Sequence, residues 1–298
     1  MVKAAIGQIN STNNLHQNLA QCTTLIQRAS ESGAKALFLP EASDYIASSA
    51  AESLSLVQPV SSSPFVLGLQ AEAKKYGLPV NVGIHEPALE DGKDGIRRLR
   101  NTLIWIDETG EIRERYQKLH LFDVEIEGGP VLKESDSVQP GKEIVKPFKT
   151  SVGSVGLLIC FDLRFPEPAI ALRRLSATII TYPSAFTVPT GKAHWETLLR
   201  ARAIETQSYV VASAQVGRHN EKRVSYGHSL VVDPWGEVKA ELSGEWSGEP
   251  ELASFEIDEE MLARSYEERA GTLSADKPPV DYKGPSVESV AFLAPSWW

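Results

Sequence analysis

Hydrophobic and polar positions along residues 2–264 follow two rhythms, one of period two and one of period three to four. Val2-Lys3-Ala4-Ala5-Ile6-Gly7-Gln8 reads as a strand, and Ser11-Thr12-Asn13-Asn14 supplies turn and capping chemistry ahead of a helix. Leu15, Leu19, Cys22, Ile26 and Ala29 recur at spacings of 4, 3, 4 and 3, one face of an amphipathic helix that stops near Gly33 and places Cys22 in the core. Ala36-Leu37-Phe38-Leu39 is a short buried strand ended by Pro40, and it delivers Glu41 at its carboxyl end. Residues 47–63 are small and polar, a surface segment. Ser63-Pro64 opens a helix that runs to Tyr76 with Gly77 as its stop, and residues 79–85 form the next strand. Past an exposed loop at 91–94, residues 101–106 and 111–116 flank Asp107-Glu108-Thr109-Gly110 as a hairpin. It leads to Lys118 and a polar loop carrying Glu125, Glu127 and Glu134.

The apolar run Val155-Gly156-Leu157-Leu158-Ile159 stops at Cys160, and Asp162, Arg164 and Pro166 follow. That sets a thiol at a strand-to-helix turn, where a rigid strand positions the sulfur and the turn offers free N–H groups. The remaining signals are a strand at 177–182, a helix at 192–207, strands at 209–215 and 228–232, and a turn at Asp233-Pro234-Trp235-Gly236 before 237–239. Alternating strands and helices with hairpins among them predict an α/β fold with helices outside. One domain covers residues 1–264; beyond it composition turns to Ser, Pro, Gly and Lys, so 265–298 read as an atypical carboxyl-terminal tail, mobile or docked through Trp297 and Trp298.

Composition narrows the partners. The chain has 298 residues, 42% hydrophobic and 23% charged, with a net charge of −9 that disfavours nucleic acid and anionic membranes. The basic cluster Arg97, Arg98, Arg100 is short and follows acids, a solvated surface. The two cysteines, Cys22 and Cys160, have no metal-ligand or disulfide-framework spacing, the amino end shows no signal-peptide core, and no run reaches the ~20 apolar residues of a membrane span. A cytoplasmic protein with neither a zinc site nor a disulfide framework is expected.

A thiol needs a base to ionise and a donor to hold the oxyanion it creates on a carbonyl. Glu41, Lys118 and Glu134 are the candidates, with the carboxylate acting as base if burial raises its pKa. Spacing alone does not bring them to Cys160, and singly each charge is more often a surface group, as a free cysteine ending an apolar run is more often inert core.

Leu39-Pro40-Glu41-Ala42, Tyr116-Gln117-Lys118-Leu119-His120-Leu121-Phe122-Asp123 and Cys160-Phe161-Asp162-Leu163-Arg164-Phe165-Pro166-Glu167 resemble, in order, the three motif blocks of the nitrilase superfamily of carbon-nitrogen hydrolases. The likeness extends to Pro183-Ser184-Ala185-Phe186, His194-Trp195-Glu196, Arg200-Ala201-Arg202-Ala203 and Gly227-His228-Ser229. It implies a four-layer α-β-β-α sandwich, a homodimer or higher homo-oligomer, no cofactor or metal, and a catalytic Glu41–Lys118–Cys160 set with Glu134 as an auxiliary. Within the superfamily, Phe38 through Tyr45, Leu121 through Ile126 and Lys133-Glu134-Ser135 are most similar to the deaminated glutathione amidases, with the ω-amidases acting on α-ketoglutaramate as runner-up. The activity implied is cleavage of a linear ω-amide of a small carboxylate-bearing substrate through a cysteine thioester, releasing ammonia. Arg164 would face the substrate carboxylate, the alternative being an ion pair with Glu167 or Asp162. The Phe161 N–H would be the second oxyanion donor, and Tyr45, Phe186 and Thr187 would form pocket wall. Phe161 stands where a tyrosine often occurs, and the tail departs from the family's carboxyl end. An alternative of another class is a catalytically silent interaction scaffold.

Overall fold

The computed structural model describes residues 1–89, 95, 97–125 and 131–270. In chain order they form β1 (Val2–Gln8), α1 (Leu15–Glu31), β2 (Leu37–Phe38), α2 (Ala50–Leu56), α3 (Pro64–Tyr76), β3 (Val80–Pro87), β4 (Leu99–Ile106), β5 (Ile112–Gln117), β6 (Asp123–Glu125) and β7 (Val131–Lys133). There follow β8 (Phe148–Thr150), β9 (Gly153–Leu157), α4 (Pro166–Arg174), β10 (Ile179–Thr181), α5 (Val188–Thr206), β11 (Tyr209–Ala212), β12 (Val216–Arg218), β13 (Val224–Tyr226), β14 (Leu230–Val232), β15 (Val238–Glu241), β16 (Glu251–Ile257) and α6 (Glu259–Ala270). Local chemistry sets the ends of the helices. The Asn14 side chain accepts the His16 and Gln17 N–H groups at the head of α1, Pro64 occupies the first turn of α3, and Gly77 closes that helix at φ +59°.

The strands build two six-stranded sheets, β16-β1-β2-β3-β4-β5 and β15-β14-β11-β10-β9-β8. In each, three parallel strands (β1, β2, β3 and β9, β10, β11) sit between antiparallel neighbours. Period-two alternation splits the first sheet's side chains between two cores. Ala4, Ile6, Phe38, Leu103 and Trp105 join the second sheet and residues of α4 and α5. Ala5, Leu37, Val80, Val82, Ile84, Ile104 and Ile106 pack instead under Cys22, Leu25 and Ile26 of α1 and Phe65, Val66 and Leu69 of α3. This is the four-layer α-β-β-α sandwich. No helix among the described residues is long and apolar enough to cross a membrane.

Some boundaries and elements differ from the sequence reading. Helix α5 starts at Val188, not at 192, because Pro189 falls in its first turn, where its missing N–H costs nothing. Strand β16, an edge partner of β1 whose side chains are half exposed, and the β12–β13 hairpin carry too little apolar contrast to be read. Helix α6 continues past 264 to Ala270. The loop at 91–94, Glu127 and residues 271–298 with both terminal tryptophans lie outside the described residues.

Candidate active site

Glu41 leaves the carboxyl end of β2, Lys118 that of β5, Glu134 opens a 3₁₀ turn (Glu134–Asp136), and Cys160 opens another (Cys160–Arg164) just beyond β9. Folding brings all four together at one rim of the seam between the sheets. Lys118 Nζ stands 2.9 Å from Glu41 Oε1 and 3.1 and 2.9 Å from the two oxygens of Glu134. The Cys160 thiol lies close enough to Glu41 and Lys118 for their charges to act on it. Glu41 and Lys118 are buried, while Glu134 keeps partial exposure.

Burial alone would raise the Glu41 pKa, but the Lys118 ammonium and the hydrogen bonds from Lys118, Cys160 and Asn101 outweigh it and hold the carboxyl below its ordinary value. This corrects the expectation of a burial-raised carboxyl. Lys118 moves the other way: burial favours its neutral form, yet Glu134 and Glu41 keep the ammonium well above the ordinary range. Burial and the neighbouring Glu41 charge push the Cys160 thiol far up, and Lys118 opposes them only in part. The site therefore holds a neutral thiol beside a charged carboxylate, an arrangement in which the carboxylate can accept the thiol proton. Helix α4 does not make a resting thiolate, since it begins at Pro166 and its first turn lies past the thiol's own 3₁₀ turn.

Backbone contacts explain how each group is held. Any side chain at Gly83 would place its Cβ 2.5 Å from the Glu41 Cα, so only glycine lets the 40–42 segment cross β3. Gln215 Nε2 donates to the Glu41 and Ala42 carbonyls at 3.0 and 3.3 Å, and the Ala185 N–H donates to Glu41 Oε2 at 2.9 Å. On the opposite side Cys160 has φ +44°, a left-handed conformation costing a non-glycine residue about 1–3 kcal/mol. Its N–H bonds the Pro183 carbonyl at 3.0 Å. The fully buried Asp162 fixes the same turn by accepting from Ile159 N (2.9 Å), Tyr116 Oη (2.7 Å), His120 N (3.0 Å) and His120 Nδ1 (2.7 Å).

The pocket candidates divide. Arg164 forms no ion pair with Glu167 or Asp162; its Nη2 meets His194 Nδ1 at 2.9 Å, its guanidinium lies 5.8 Å from the Phe186 ring centroid, and its Nε is buried without a partner. Phe161 packs edge-on against Phe122 at 5.1 Å, and Phe186 packs at a tilt against Trp195 at 4.8 Å. Tyr45 stacks on His85 at 4.4 Å and gives its hydroxyl to the Ser53 carbonyl at 3.1 Å, so that hydroxyl is already engaged within the protein. Thr187 stands just before α5 without capping it through its side chain, and its hydroxyl meets that of Thr190 at 2.8 Å. Sequence reading missed Asn101, Asp162 and Gln215. For Asn101 a signal existed: it takes an inward position in β4, alternating with Leu99, Leu103 and Trp105, where a polar side chain needs a reason. Among the described residues no three His, Cys, Asp or Glu side chains are grouped to hold a metal ion.

A thiol, a carboxylate base and an ammonium buried in the seam of an α-β-β-α sandwich define a class, the hydrolases that open carbon-nitrogen bonds through a cysteine. The chain belongs to the carbon-nitrogen hydrolase family, whose model matches residues 3–265. It is similar to the probable hydrolase nit2 of Schizosaccharomyces pombe (51% identical over 244 residues, 82% of this chain and 87% of the relative). It is similar also to the deaminated glutathione amidase of Homo sapiens (46% over 239 residues, 80% and 72%). A solved Saccharomyces cerevisiae structure, a member of branch 10 of the nitrilase superfamily, superposes with a TM-score of 0.74 at 29% identity over 93% of this chain and 97% of that one.

Proposed function

We propose that this carbon-nitrogen hydrolase is a deaminated glutathione amidase, with residues 1–264 as its catalytic domain. The observation that carries the chemistry is the single network joining Lys118, Glu41 and Glu134 beside the Cys160 thiol. Glu41 takes the thiol proton as Cys160 attacks the amide carbon, and Lys118 with the Phe161 N–H holds the oxyanion. Protonated Glu41 donates to the departing amine; it then activates water, which hydrolyses the thioester and frees the acid. Glu134 keeps Lys118 charged and aimed.

Arg164 supports a carboxylate-bearing substrate. It is a half-buried cation that no carboxylate among the described residues neutralises, and its planar fork matches a carboxylate. The names of the relatives supply the amide. In deaminated glutathione the scissile bond is a secondary amide, so cleavage releases a dipeptide amine; only the ω-amidase substrate α-ketoglutaramate would release ammonia. Incubating the protein with each compound and following primary amine and ammonia separately tests the reading. Preference for deaminated glutathione in kcat/KM supports it; preference for α-ketoglutaramate replaces it with ω-amidase. Exposed Ile170 on α4, Ile204 on α5 and neighbouring Trp235 favour a homodimer through the outer helices, and two free buried thiols fit a cytoplasmic setting. Light scattering of the purified protein checks the former.

A further inference from the structure

We infer that Asn101 is a positioning residue for the reaction: its carboxamide holds the Glu41 and Glu134 carboxylates in place around Lys118. The inference rests on the Glu41–Lys118–Cys160 reading above. Asn101 Nδ2 donates to Glu41 Oε1 at 2.8 Å and to Glu134 Oε1 at 3.0 Å. Lys118 Nζ contacts the same two oxygens at 2.9 and 3.1 Å. One amide and one ammonium thus bridge the same pair of acids, closing a ring of four hydrogen bonds. The residue also fixes the lysine backbone, because the Asn101 carbonyl accepts the Lys118 N–H at 3.0 Å.

The orientation of the amide is dictated by its neighbours. Turned over, it would set Oδ1 against two carboxylate oxygens. As it stands, Oδ1 is buried without a partner, a cost accepted only because the donor face is needed by both acids. The choice of residue follows from charge. Two carboxylates and one ammonium leave a net charge of about −1 in a buried site, which the amide stabilises with two donors and no further charge. A second lysine would depress the basicity of Glu41 further, and an aspartate would add a third anion. Asn101 therefore sets how readily Glu41 takes the Cys160 proton without touching the substrate.

The test uses Asn101→Leu, which keeps the volume and removes both donors, and Asn101→Ser, which is smaller and keeps one donor. Iodoacetamide alkylation of Cys160 is followed against pH, Cys160→Ala providing the blank for Cys22, together with kcat, KM and Tm. Loss of hydrogen bonds to the charged acids should move the acid limb of alkylation and of kcat/KM to higher pH. At neutral pH kcat should fall about tenfold to a hundredfold with KM nearly unchanged. Asn101→Ser should fall between wild type and Asn101→Leu, and it carries the test if the leucine variant does not fold. A folded variant whose pH profile superposes on wild type while only Tm drops would overturn the inference and leave Asn101 a packing residue. Failure of the underlying reading has a different signature: Glu41→Gln would leave the acid limb in place, or Cys160→Ala would still turn over.

Discussion

The two sheets share one plan, three parallel strands between antiparallel neighbours, yet they hold their reactive groups by different means. On the first sheet's side, Glu41, Lys118, Glu134 and Asn101 are placed by one another through side-chain hydrogen bonds of 2.8–3.1 Å. On the second sheet's side, Cys160 is placed by backbone: a left-handed φ, a carbonyl partner at Pro183, and the Asp162 carboxylate holding the turn. The difference follows from the groups themselves. Buried charges are tolerable only when paired, so pairing becomes the positioning device. A thiol makes weak hydrogen bonds and must be aimed by the chain. Cys22 sharpens the point: burial pushes both thiols up, but only Cys160 has a base and an ammonium beside it.

The largest effect should come from the backbone-held side. Cys160→Ala should lower turnover by more than about a thousandfold while leaving Tm close to wild type, since it deletes one small group and leaves the hydrogen bonds among Glu41, Lys118, Glu134 and Asn101 intact. Lys118→Met should lower kcat on the order of a hundredfold to a thousandfold and, unlike Cys160→Ala, destabilise by about 3–5 kcal/mol, because it strands the buried Glu41 carboxylate beside the partly exposed Glu134. Chemical denaturation of the two variants side by side tests whether the sheets differ as described; equal stability losses would break the comparison. Asp162→Asn should cost roughly 2–4 kcal/mol and slow Cys160 alkylation, since the amide cannot accept all four bonds the carboxylate receives. Arg164→Lys should raise KM for carboxylate-bearing amides roughly tenfold to a hundredfold and leave amides without a carboxylate nearly unaffected.

The smallest effect lies at His219, just past β12, and is read in pH. Burial and the nearby Arg223 charge lower His219 to about 3, and its ring bridges the Ser11 carbonyl at 2.8 Å and Ser225 Oγ at 2.7 Å. The unfolded chain binds a proton near the ordinary 6.5 and the folded one does not, so stability falls as pH drops below 6.5 and the loss is complete near 3. Between pH 6.5 and 5 it should amount to about 2 kcal/mol, which His219→Gln should abolish. The Glu41–Lys118 pair behaves differently. Glu41, depressed below 4.5, contributes stability in full above that pH and loses it as pH falls through its folded value; Lys118, raised above 10.5, contributes in full below that pH and loses it as pH rises through its folded value. Denaturation at pH 5, 6.5 and 8 separates the two, for the pair predicts a plateau and His219 a slope.

Much of this molecule was written in local pattern. The helix of α1 was readable from Leu15, Leu19, Cys22 and Ile26 because a 3.6-residue period is a property of neighbouring positions, and Pro64, Gly77 and Gly110 mark boundaries through their own backbone preferences. The motif blocks around Glu41, Lys118 and Cys160 identified the candidate groups because each is a short run at a strand end. Their ionisation was not readable. Whether Glu41 is raised by burial or lowered by pairing depends on an ammonium 77 positions away, and only its 2.9 Å approach settles the sign. The same holds for Asn101, an asparagine in a strand until folding sets it between two acids, and for Gly83, whose missing Cβ is explained only by the chain that crosses it. Sequence by itself determined the elements and the reactive residue types, since those follow from local geometry and covalent chemistry. Tertiary structure decided which charge each group carries and what it can therefore do, because electrostatic energy depends on distance through space and on the water that packing excludes.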